Sequence, residues 1–95
     1  LFFTTHASLG RGSWVDVGLY MQTVMLVARE FGIHTCPQGA WNRFQGTIFR
    51  HLGIADDQIL VCGMSLGYSD DTAIENTLVS EREDLANVAR FVGFD

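Results

Sequence analysis

The sequence predicts a layered α/β or α+β domain in which helices cover a sheet, and three features carry that expectation. Ser13 to Phe31 reads as one helix that is apolar almost all the way round. Gln58 to Leu66 (QILVCGMSL) is apolar on both faces, the pattern of a central strand rather than an edge one. Around these two, strand-like and helix-like stretches alternate, with no repeat, linker or low-complexity segment between them.

Leu1 to Thr5 is a short β-type run, and His6 to Gly12 (HASLGRG) is a loop with two glycines. Ser13 reads as the N-cap of the long helix, with Asp16 completing a capping-box-like pair. Polar residues then fall on two narrow lines, Asp16, Thr23 and Glu30 on one, Gln22 and Arg29 on the other. Gly32 is placed to end the helix as its C′ residue. Ile33 to Cys36 is a brief extended piece, and Pro37-Gln38-Gly39 a tight turn.

A second helix, Ala40 to Leu52, carries its apolar stripe at Trp41, Phe44, Ile48, Phe49 and Leu52 and stops at Gly53. Ala55-Asp56-Asp57 turns the chain into the central strand. Gly67 to Thr77 is a long polar loop, of the kind kept for function or for reaching another subunit. Leu78-Val79 reads as a short extended piece. Asp84 to Phe91 reads as a weak helix, with Gly93 ending it.

At 95 residues the chain makes at most one domain, long enough for a real core. The run LFFTT at its start and a helix too apolar for so short a chain to cover predict that 1–95 is a partial domain, cut through its middle. A complete small domain is the alternative. The helix needs either more of its own domain or a partner subunit. Asp16, Gln22, Arg29 and Glu30 interrupt it as a membrane span, and no signal peptide is visible.

Charge narrows the partners. Six Arg, no Lys and eleven acids give a net charge of −5, with nine of the acids beyond Gly53. That leaves no basic face for nucleic acid and no polybasic segment for a membrane surface. Cys36 and Cys62 form no metal-ligand spacing, and they read as reduced, buried thiols of a cytoplasmic protein. His6, His34 and His51 share no ligand spacing either, so no metal site is expected.

Two local patterns have competing readings. Gly63-Met64-Ser65-Leu66-Gly67 spells G-x-S-x-G after a strand, the form of a hydrolase nucleophile elbow. Turn sequence follows it where a helix is required, and no histidine comes later, so Ser65 reads as a strand residue. Pro37-Gln38-Gly39 before a helix sets bare N–H groups at a helix start, where they can meet something electron-rich. An ordinary connector has the same sequence.

Three ordered segments bear on that choice: SWVDVGLYMQTVMLVAREFGIHTCPQGAW, HLGIADDQILVCGMSLGYSD, and ENTLVSERED with a tail ending FVGFD. Together they resemble the C-terminal half of the FMN-dependent nitroreductase family, most closely its nitrobenzoate-reductase-like branch. The resemblance implies an α+β fold with helices on a mainly antiparallel sheet. It implies FMN at the interface of a homodimer, with the Gly67–Thr77 loop and tail crossing to the other subunit.

It further implies that Pro37, Gln38, Gly39 and Ala40 line the flavin ring and that Arg82 holds the phosphate. From its neighbours alone, Arg82 reads as an ion-pair partner of Glu81 and Glu83. Ser80 stands where some members carry a second phosphate-binding Lys, and the family's N-terminal phosphate segment is not in this chain. The implied activity passes hydride from NAD(P)H via FMN to nitroaromatic or quinone-like acceptors, with no catalytic side chain named. The alternative is a truncated, non-catalytic remnant that serves as a dimerisation or interaction module.

Overall fold

The computed structural model describes residues 1–93, so the last two residues of the expected tail, Phe94 and Asp95, lie outside the described residues. The chain runs β1 (Phe2–His6), α1 (Arg11–Glu30), β2 (His34–Gln38), a 3₁₀ turn (Gly39–Phe44), α2 (Gln45–Leu52) and β3 (Gln58–Gly67). An arm follows, with a 3₁₀ turn (Ile74–Thr77) and a single helical turn, α3 (Leu85–Val88).

The three strands form one antiparallel sheet in the order β1-β3-β2, with β3 central as its two-sided apolar pattern requires. β3 also supplies the two most buried side chains, Leu60 and Met64, each 2% exposed. Met64 packs with Phe3 and Met21, and Leu60 packs with Ile48 and Phe49. α1 and α2 are thus each tied to the sheet by one small cluster.

Helix ends follow local chemistry at one side only. Gly32 takes a left-handed φ of 70°, its N–H bonds to Arg29 O, and the Ile33 N–H reaches back to Ala28 O. That is a Schellman motif on the expected C′ glycine. Gly53 ends α2 at φ 66° in the same conformation.

The start of α1 differs from expectation: the helix begins at Arg11 behind Gly10. The Ser13 hydroxyl donates to Gly10 O at 2.8 Å instead of accepting from a helix N–H, and the Thr5 hydroxyl donates to it at 3.4 Å. Ser13 therefore sits inside the first turn, and no capping box with Asp16 forms.

A second correction concerns Pro37-Gln38-Gly39. Pro37 and Gln38 belong to β2, paired with Met64 and Gly63, and the bend begins only at Gly39. Proline's missing N–H is tolerated because β2 is an edge strand. The helix expected over Ala40–Leu52 is a 3₁₀ turn followed by α2, and the weak C-terminal helix shrinks to Leu85–Val88. Leu78 is extended but pairs with no strand among the described residues.

The apolar helix is largely uncovered. Only Met21 and Ala28 of α1 are buried, while Trp14, Val15, Leu19, Tyr20, Leu26 and Val27 stand exposed. Both cysteines are free. Cys62 is half-buried, but Cys36 is exposed, contrary to the expectation of two buried thiols, because it lies on an edge strand. No helix among the described residues is long and apolar enough to cross a membrane.

Candidate functional site at the bend after the second strand

β2 delivers the chain to the bend with its register fixed by β3, Pro37 opposite Met64 and Gln38 opposite Gly63. Gly39 and Ala40 then open the 3₁₀ turn, both exposed. The first N–H groups of such a turn have no partner within it. Gln38, just before them, makes no capping bond to them with its side chain. Its amide oxygen instead accepts the Trp41 indole N–H at 2.9 Å.

Around the bend the packing is tight on one side and open on the other. The Trp41 indole lies directly against the Cα of Gly63, where a side chain of any size would collide with the ring. Phe2 meets Trp41 edge-on at 6.0 Å and Phe44 does so at 6.3 Å. Asn42 donates to Val61 O at 2.9 Å, and Gln45 accepts the Leu60 N–H at 2.8 Å. On the open side, a methyl group built on Gly39 meets no atom within 4 Å.

Arg82 lies in the arm, exposed, and is not joined to the bend by any described bond. Its guanidinium folds onto its own neighbours, donating to Ser80 Oγ at 2.5 Å, Ser80 O at 3.2 Å and Glu81 O at 3.0 Å. The ion pair with Glu81 and Glu83 expected from the local sequence does not form among the described residues, and Glu83 accepts from Asn87 instead. Pro37, Gln38, Gly39 and Ala40 are neighbours along the chain at the bend, and Arg82 bonds only within the arm among the described contacts.

Two grooves lie elsewhere. One of about 340 Å³, where β2 and β3 meet the arm, is lined by His34, Cys36, Ser65, Tyr68, Asp70 and Asn76 among others. The other, about 310 Å³ and almost wholly apolar, runs along α1 between Val24, Val27, Ile33 and Leu66. In the first, Asp70 accepts from both the hydroxyl and the N–H of Thr72, which holds its carboxyl below the ordinary carboxylate range.

Ser65 is exposed within β3, which continues as strand to Gly67, so no nucleophile elbow is built. His6 faces Asp57 at 3.2 Å, a carboxylate the sequence reading did not give it. No group of three or more metal-ligating side chains comes together among the described residues. Gly63 and Asn42, which seat the bend, escaped the sequence reading. A glycine inside a strand is itself a signal of close approach by another group.

The three antiparallel strands with α1 and α2 laid on them define an α+β layered protein. Residues 2–68 match the model of the Nitroreductase family, and the chain belongs to that family. It is 47% identical over its whole length to a 4-nitrobenzoate reductase of Pseudomonas putida, and covers 42% of that protein. A chloronitrobenzene nitroreductase of Comamonas testosteroni is 36% identical over 97% of the chain, which spans 40% of it. The crystal structure of an FMN and NADPH-dependent nitroreductase from Sphigopyxis sp. strain HMH superposes with a TM-score of 0.93 at 35% identity, over 98% of this chain and 42% of that one. The chain thus spans about two fifths of the length of the relatives it matches.

Proposed function

We propose that this chain forms the C-terminal part of an FMN-dependent nitroreductase that uses NAD(P)H to reduce nitroaromatic or quinone-like acceptors. The observation that carries the reading is the open bend at Gly39 and Ala40, in a chain whose relatives are nitroreductases. The residues present fit FMN as far as they go. This chain's own atoms leave the space beside Gly39 open, main-chain N–H groups are the right donors for the electron-rich edge of a flavin, and Arg82 is the right cation for a phosphate.

When bound, FMN supplies the electron relay between NAD(P)H and the acceptor. The chain's own part is to hold and orient it. Pro37 and Gln38 present the ring-side edge of β2, Gly39 and Ala40 offer N–H donors, and Arg82 turns from Ser80 and Glu81 to the phosphate. The uncovered face of α1 packs against the remainder of the domain and a second subunit in a homodimer, and the arm crosses to that subunit. Two free thiols support a reducing, cytoplasmic setting.

The test is made on the complete protein. It should be isolated with the visible absorbance of bound flavin, and Arg82→Ala should weaken FMN binding by about 1.5–3 kcal/mol, the worth of a hydrogen bond to a charged group. Gly39→Leu adds a side chain where this chain has no atom to resist it. Its melting temperature should stay at the wild-type value while FMN binding falls. A colourless protein that takes up no added FMN overturns the reading.

A further inference from the structure

We infer that Trp41 is a positioning residue for the bend, clamping Gln38 so that the main chain at Gly39 and Ala40 keeps the one shape described above. The ligand side of this inference rests on the nitroreductase reading; the clamp itself does not. Four contacts converge on the indole. Its N–H donates to Gln38 Oε1 at 2.9 Å, its five-membered ring lies against Gly63, and Phe2 and Phe44 meet it in T-shaped contacts.

The notch under the ring is built by the sheet. Gly63 pairs with Phe2 on one side and Gln38 on the other, so these three share one rung, and Trp41 packs against it from the turn. Trp41 stands three residues past Gln38, and their side-chain bond closes a loop whose main chain is Gly39 and Ala40. A short loop closed by a side-chain bond and pinned to a sheet has few conformations left. With the bond removed, Gln38 Oε1 is released beside the turn's free N–H groups, the same donors a ring would use.

The experiment uses the complete protein. Trp41→Phe keeps an aromatic ring beside Gly63 while removing the indole donor and part of the ring; Gln38→Met keeps the chain length and removes the amide acceptor, so an effect shared by both reports the bond. In apo protein, the NMR order parameters of the Gly39 and Ala40 amides should fall in either variant, from rigid-backbone values of about 0.85 toward the flexible range below about 0.6. FMN affinity should fall about tenfold in Trp41→Phe, roughly the factor one hydrogen bond controls, with a shift in the flavin midpoint potential. The double variant should be no worse than either single one, because both act through one bond.

Unchanged order parameters at Gly39 and Ala40 in Trp41→Phe overturn the clamp. Lower order parameters with unchanged FMN affinity and potential overturn its positioning role. If both variants loosen Gly39 and Ala40 but the wild-type protein takes up no FMN, the nitroreductase reading is overturned and the clamp stands.

Discussion

Replacing Gly63 by Ala places a methyl group into the Trp41 indole, which must then tilt and give up Gln38. Overpacking of this kind costs about 1–3 kcal/mol, and denaturant unfolding of the Gly63→Ala protein should show a loss in that range. The residue was visible in the sequence for another reason, as the first letter of G-x-S-x-G. Its true neighbour comes from a different element, which no local pattern records. Asp70 gives a second test. Its bonds from Thr72 favour the charged carboxylate, so the ordered turn is fully supported above the ordinary value of 3.8 and is lost as pH falls through a lower, folded-state value. The Thr72 amide resonance, followed by NMR, should titrate with a midpoint below 3.8. A midpoint at or above it would contradict the bonding described.

At the scale of elements, what the sequence revealed depends on how local each signal is. Gly32 and Gly53 were readable as helix stops because a left-handed C′ residue is a property of the residue itself. Gly53→Ala should accordingly cost about 1–2 kcal/mol of stability, the strain of a side chain in that conformation. β3 was readable as central because burial on both faces leaves its mark in composition. Pro37 and Gln38 were misread as a turn because strand pairing with Met64 and Gly63 overrides a Pro-x-Gly sequence. Ser13 was misread as a cap because its hydroxyl found the Gly10 carbonyl first. β3 is also where damage spreads furthest. Leu60→Ala removes the centre of the cluster with Ile48 and Phe49, and it should destabilise by about 2–5 kcal/mol in thermal or denaturant unfolding.

For the molecule as a whole, surface area speaks more plainly than any single contact. A folded monomer of 10.6 kDa exposes about 5,500 Å², whereas this chain exposes 7943 Å². Its radius of gyration is 17.2 Å, against about 12 Å for a compact domain of this length. The arm accounts for part of the excess, with Leu78 81% and Val79 89% exposed, and the outer face of α1 for much of the rest. The apolar helix was legible in the sequence, and so was its lack of cover; what covers it was not, because a local pattern records that a face is apolar and not what packs on it. Leu19 and Leu26 decide the matter, since both are about two-thirds exposed here and this chain's own packing loses little without them. Residues 1–95 alone should bind a hydrophobic dye and self-associate in sedimentation, and Leu19→Lys with Leu26→Lys should suppress both. In the complete protein the same changes should each cost on the order of 1.5–3 kcal/mol, the worth of a buried leucine. If the complete protein tolerates both at no cost, the face is open to water there as well, and the surplus area belongs to an interaction module and not to the interior of an assembled flavoenzyme.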